Sequence, residues 1–100
     1  MNPVVEELLP QIKQILLENR VKKAYLFGSV CGNTFKDTSD IDLLIRFHDD
    51  VDPEERGELW WNIYFSLESI LNRNIDLLTE HSLKNPYLVS EIEKTRIAII

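Results

Sequence analysis

The chain has a single cysteine, three glycines and four prolines in 100 residues. Cys31 has no partner for an internal disulfide, so a reducing, cytoplasmic setting is the default expectation. No tract rich in Gly, Ser or Pro marks a linker, and no internal repeat is present, so residues 1–100 read as one continuous domain. Long apolar runs are also missing. The longest are a few residues, such as Ile97-Ala98-Ile99-Ile100, far below the ~20 needed to span a bilayer, so no membrane association is expected. Met1 to Glu7 lacks a basic stretch followed by an apolar one, which argues against a secretory signal. Basic charge is the minority: 11 Lys and Arg face 17 Asp and Glu, for a net charge of −6. Proteins held to nucleic acid by phosphate contacts carry a basic face, so general nucleic-acid binding is not expected. The acidic surplus suits carboxylates gathered around a cation instead.

Hydrophobic residues at 44% and charged residues at 28% make an ordinary globular mixture. Asn2 can cap a first helix with Pro3 at its first position, and Val5, Leu8, Leu9, Ile12, Ile15 and Leu16 follow helical spacing to about Asn19. Pro10 implies that this helix either kinks or begins there. Lys22 to Phe27 reads as a strand leading into Gly28-Ser29, and Cys31 to Ser39 as loop and turn. Ile41 to Phe47 is a second strand. Asp52 caps a second helix with Pro53 at its first position and Glu55 completing a capping box. An apolar stripe from Leu59 through Trp60, Ile63, Tyr64, Leu67, Ile70 and Leu71 carries that helix to Asn72. Ile75 to Thr79 is a third strand, Asn85-Pro86 opens a short last helix with Leu88, Val89 and Ile92 on its apolar side, and Arg96 to Ile100 reads as a final strand. Strands alternating with helices predict an α/β (α+β) fold, a small mixed sheet with helices packed on it.

Two features of the sequence carry chemistry. Gly28-Ser29 follows an apolar strand directly, and Asp40-Ile41-Asp42 heads the next. Side chains alternate across a strand, so Asp40 and Asp42 share one face, about 6.5–7 Å apart along the backbone, while Ile41, Leu43 and Ile45 face a core. Two acids this close repel and resist ionising in a dry site unless a divalent cation lies between them. Oxygen-only ligands favour Mg²⁺ or Mn²⁺, one ion or a pair, and Mg²⁺ sits typically on one or two carboxylates plus substrate phosphates. Asn74-Ile75-Asp76-Leu77-Leu78 echoes Asp40-Ile41-Asp42-Leu43-Leu44. If the second and third strands are neighbours, Asp76 stands beside Asp42, as a metal ligand or as the base for an attacking hydroxyl. At Gly28 the backbone can approach a ligand closely, and the Ser29 hydroxyl with nearby N–H groups can hold terminal phosphate oxygens. An anion site beside a metal site describes a nucleoside-triphosphate pocket.

Leu26-Phe27-Gly28-Ser29, ten residues, then Asp40-Ile41-Asp42-Leu43-Leu44 resembles the signature of the nucleotidyltransferase superfamily that includes DNA polymerase beta. The short chain resembles its minimal members, single-domain antitoxins paired with small helical HEPN-type toxins. The resemblance implies a nucleotidyltransferase palm in which Gly28 and Ser29 bind the triphosphate, Asp40 and Asp42 ligate metal, and Asp76 is the third carboxylate, acting as base or ligand. It implies Mg²⁺-dependent transfer of a nucleoside monophosphate, AMP from ATP, to a tyrosine hydroxyl on a toxin that is thereby silenced. Many minimal members carry an Arg-Gly pair shortly after the serine. Here that stretch is Val30-Cys31-Gly32-Asn33, so a basic phosphate contact is either absent or supplied by Lys36 or another residue. A second reading, from a different class, is a non-catalytic module that neutralises such a partner by covering it. A transferase acting on RNA or an antibiotic fits less well, because 100 residues leave little room to seat the acceptor.

The remaining residues have plainer readings. Trp60 and Trp61 are adjacent on a helix and cannot both enter one core, so one is expected to be exposed, where it would mark a partner surface or pack under a loop. Self-association is compatible with that exposed aromatic. Cys31 reads as inert, His48 and His81 as surface residues, Asp49, Asp50 and Asp52 as a turn and a helix cap, and Lys22 and Lys23 as a solvated strand start.

Overall fold

The computed structural model describes residues 3–28 and 40–100. The elements in chain order are α1 (Pro3–Glu18), β1 (Val21–Phe27), β2 (Ile41–Phe47), α2 (Pro53–Leu71), β3 (Ile75–Thr79), a 3-10 turn (Glu80–Ser82), α3 (Pro86–Thr95) and β4 (Ile97–Ala98). The loop expected over residues 31–39 lies outside the described residues, as does Ser29.

Helix boundaries follow local chemistry. Helix α1 runs unbroken across Pro10, which sits on its exposed side. The proline withholds one helical hydrogen bond, and the buried Val5, Ile12 and Leu16 hold the helix on the sheet across that gap. The Asp52 side chain accepts from the N–H of Glu55 at 2.9 Å, capping α2. Glu55 does not return a capping-box bond as the sequence predicts. Its carboxylate takes the Arg20 guanidinium instead, at 3.3 Å. Asn72 ends α2 in the left-handed region (φ 52°, ψ 42°), a conformation asparagine tolerates. Asn85 caps α3 by accepting from the N–H of Tyr87 at 2.9 Å.

The strands form one sheet in the order β3-β2-β1-β4. The β1–β2 and β1–β4 pairs are antiparallel, whereas β2 and β3 are parallel, joined by the α2 crossover. The sheet is therefore mixed, as expected. Strand β4 is shorter than predicted. The N–H groups of Ile99 and Ile100 both turn to the Ala24 carbonyl, at 2.9 and 3.3 Å, and the ladder stops after Ala98.

One sheet face presents Ala24, Leu26, Ile41, Leu43, Ile45, Ile75 and Leu77 to α1 and α2, whose Ile12, Leu16, Ile63 and Leu67 close the main core. Each fully buried Leu or Ile among them contributes about 1.5–3 kcal/mol. The acidic face is not left open to water along its whole length. Phe27 and Leu44 form a second, smaller core with Ile92 of α3, flanked by Tyr25, Leu78 and Leu83. Helix α3 thus covers part of the face that carries the acids. Of the two tryptophans, Trp60 is partly buried, its indole N–H donating to the Leu77 carbonyl at 3.0 Å, and Trp61 is 53% exposed. Among the described residues, no helix is long and apolar enough to cross a membrane.

Candidate active site

Strand β2 lies between β1 and β3, so Asp42 has neighbours on both sides. It faces Phe27 across the antiparallel pair and Asp76 across the parallel pair. Residues paired in register point to the same face, so the two carboxyls stand side by side at one strand spacing, ~4.7–4.9 Å at the backbone. Asp40 immediately precedes β2 and is exposed.

The electrostatics follow from this crowding. Burial pushes the Asp42 carboxyl up to about 6, helped by the charges of Asp76 and Asp40 and by a hydrogen bond with Asp76. Two carboxyls can share such a bond only when one keeps a proton. A hard divalent cation would take the place of that proton, and the donor set is oxygen-only, which fits Mg²⁺ or Mn²⁺. Asp42, with Asp76 and Asp40 both close enough to act on it, supplies the carboxylates that could hold such an ion. Among the described residues, no three acidic, His or Cys groups converge as a finished cation cage. The remaining oxygens around an ion would come from water and substrate phosphates, the usual situation for Mg²⁺.

Gly28 closes the site from the β1 side. Its φ is +72°, and a Cβ there would collide with Oδ2 of Asp42. Only glycine satisfies both conditions without strain. Its N–H donates to Oγ1 of Thr95 at 3.2 Å, and the Thr95 hydroxyl in turn donates to the Glu91 carbonyl at 3.2 Å. The Gly28 N–H therefore faces α3. The four described candidates, Gly28, Asp40, Asp42 and Asp76, come together at one end of the sheet.

Two residues that brace this corner had no local signal. Thr95 anchors the glycine turn from 67 positions away. Trp60 occupies the open edge of β3 beside Asp76. Arg96 lies over the Tyr25 ring, 4.7 Å from its centroid, and lines a groove with Leu44, Glu80, Leu83 and Ile92 on the same face. His48 and His81 are exposed, and Asp49 pairs with Arg46 at 3.5 Å while Asp50 pairs with Arg20. None of the four joins the site.

The chain is similar to known proteins along most of its length. The family model for a nucleotidyltransferase domain matches residues 9–99. A Methanocaldococcus jannaschii protein provisionally named protein adenylyltransferase MJ1217 is 36% identical over 96 residues, covering 95% of this chain and 94% of its own. A solved structure provisionally described as a minimal nucleotidyltransferase superimposes with a TM-score of 0.72 at 22% identity, covering 93% of this chain and 90% of its own. The MNT antitoxin complex with a tri-AMPylated Shewanella oneidensis HEPN toxin gives a TM-score of 0.67 at 22% identity, covering 95% of this chain and 71% of that one. At such identities the two structures speak to the fold, which they share with this chain. Through the family model and the archaeal relative, this chain belongs to the nucleotidyltransferase family of enzymes.

Proposed function

We propose that this chain is a single-domain, Mg²⁺-dependent adenylyltransferase that moves AMP from ATP to a hydroxyl on a small helical protein of the HEPN type, silencing it as an antitoxin. The observation that carries this reading is the in-register pair Asp42 and Asp76, held against Gly28 with one carboxyl reluctant to ionise. The name of the archaeal relative and the AMPylated toxin in the related complex support the choice of AMP and of a protein acceptor.

In this reading Asp40 and Asp42 hold metal, and Asp76 is either a further ligand or the base. Gly28 and Ser29 form the turn that receives the triphosphate. Bound Mg²⁺ would neutralise phosphate charge and align the attacking and leaving oxygens. The acceptor oxygen attacks the α-phosphorus, its proton passes to a carboxylate, and the bond to the bridging oxygen of pyrophosphate breaks. Phe27 and Leu44 keep the sheet beside the acids apolar, which limits water access to the reacting phosphate.

The alternative is a vestigial pocket in a module that acts by binding alone. The observation that favours it is the stretch Val30-Cys31-Gly32-Asn33, which has no arginine after Ser29. Incubation with Mg²⁺, labelled ATP and the product of the adjacent gene separates the two. Label should appear on that partner and disappear with Asp42→Asn. An Asn variant that neutralises the partner as fully as the wild type would establish the binding reading.

A further inference from the structure

We propose that the exposed row Gly57, Trp61, Phe65 and Ser69 of α2 seats a basic helix of the protein that receives the nucleotide. The identity of that protein rests on the transfer reading above. The surface, and the chemistry that fits it, stand on the side chains of α2.

These residues recur every fourth position along the helix and all are exposed, so they form one continuous ridge. Small residues lie at its ends and two large rings at its middle. Trp61 is 53% exposed and Phe65 58%, and their rings stack 5.3 Å apart. Tyr64 meets both rings edge-on, at 6.0 and 5.6 Å, and itself stacks on Trp60 at 5.3 Å. The Trp60 indole is bonded to the Leu77 carbonyl, next to Asp76 in the chain. The exposed rings are thus the outer members of an aromatic series that begins at the edge strand β3. Held by these contacts, they lose little freedom when covered, which suits them to anchor an interface.

Gly57 is an independent observation. It lies inside α2, where glycine is the least favourable residue after proline. Its φ is not positive, and a Cβ there would meet no atom within 4 Å. No contact among the described residues therefore calls for a glycine. A second backbone passing over the ridge beside Trp61 would, because a residue without a side chain permits that close approach. Rows spaced by four are also the ones that interdigitate in the commonest helix-on-helix packing, so the occupant that fits is a helix.

Charge selects the kind of helix. The neighbouring row carries Glu54 and Glu58, both exposed. Among the described residues no cation pairs with either, and Arg56 turns its Nε back to the Val51 carbonyl at 3.1 Å. Lysine or arginine on the incoming helix would satisfy them. A second copy of this chain would instead bring its own Glu54 and Glu58, and a net charge of −6, to the same surface. Such like-charge juxtaposition costs affinity.

Calorimetric titration with the product of the adjacent gene, beside initial rates of labelled AMP transfer to it, tests this. Gly57→Leu should leave the melting temperature of the free chain equal or higher, since leucine is the better helix former, yet weaken binding about 10-fold or more. Trp61→Ala with Phe65→Ala should weaken it roughly 30-fold. Glu54→Lys with Glu58→Lys should weaken it most at low salt. In the transfer assay all three should raise KM for the protein acceptor and leave kcat and the KM for ATP unchanged. Wild-type affinity in Gly57→Leu and in the aromatic variant overturns the proposal, while continued labelling leaves the transfer reading standing. Weakened binding in these variants, with no labelling by the wild type, keeps the surface and sinks the transfer reading. A wild-type chain that does not bind this product sinks both. Sedimentation showing a wild-type dimer that the aromatic variant dissociates overturns the proposal as well, the occupant then being a second copy. Should the aromatic variant melt early, Gly57→Leu carries the comparison.

Discussion

Asp42 and Asp76 occupy matching places on two parallel strands, and the register that pairs them also pairs Ile41 with Ile75 and Leu43 with Leu77. The repeated Ile-Asp-Leu-Leu of the two strands is thus brought side by side. A slip of one residue would turn every partner to the opposite face and bury an acid. The apolar residues therefore set the alignment that confronts the two carboxyls.

That confrontation destabilises the ligand-free chain at neutral pH. The Asp42 pKa rises from 3.8 to about 6, chiefly through burial, so the folded chain holds the proton more tightly than the unfolded one. The resulting stability is fully present below about pH 3.8 and is lost as pH rises through about 6. Asp42→Asn should then melt higher than wild type at pH 8 and equally at pH 3.5. Discounted for solvent screening of a half-buried group, the gain is on the order of 1 kcal/mol, or about 4–8 °C. Parallel melting curves for the two proteins across this range would refute the assignment.

Magnesium should act in the opposite sense on the wild type. A cation bound only by the folded chain stabilises it by about 2.7 kcal/mol at a hundred times its dissociation constant. Thermal melts at pH 7.5 with and without Mg²⁺ and AMP-PNP should show a rise in wild type, removed by a chelator and absent in Asp42→Asn. Equal rises in both proteins would place the ion elsewhere.

Gly28→Ala tests the turn. The substitution meets both a φ of +72° and the Asp42 carboxylate, and is expected to destabilise by about 1–3 kcal/mol. Transfer activity should fall further than stability accounts for, since the methyl group displaces Asp42 itself. Urea melts beside initial rates measure the two effects separately.

Trp60→Phe keeps most of the packing and deletes one hydrogen bond, from the indole to the Leu77 carbonyl. A loss of about 0.5–1.5 kcal/mol is expected. Amide exchange should quicken along β3, next to Asp76, more than along β1. Uniform acceleration would mean that the tryptophan supports the whole fold rather than this edge.

Much of this was legible because it is written locally. A run rich in Leu and Ile announced β2, and Asp52-Pro53 and Asn85-Pro86 announced two helix starts. What stayed hidden depends on contacts distant in sequence. Glu55 had two partners to choose from, the cap and Arg20, and the packing of α1 against α2 decided for Arg20. Leu44 and Phe27 are apolar on the acid-bearing face, but nothing in their own strands says that Ile92 covers them. Pro10 in the sequence allows a kink or a helix start, and the start is ruled out because α1 already runs from Pro3, held by Val5 before the proline and by Ile12 and Leu16 after it.

The tether from Thr95 to Gly28 spans 67 positions, which gives assembly of this corner an order in time. A growing chain can fold its first helices and pair its early strands while still on the ribosome, yet the glycine corner stays unbraced until residues 95 to 98 emerge. Chemical competence should therefore arrive late in synthesis and abruptly. A nascent chain of this design keeps an unbraced glycine corner until Thr95 has emerged.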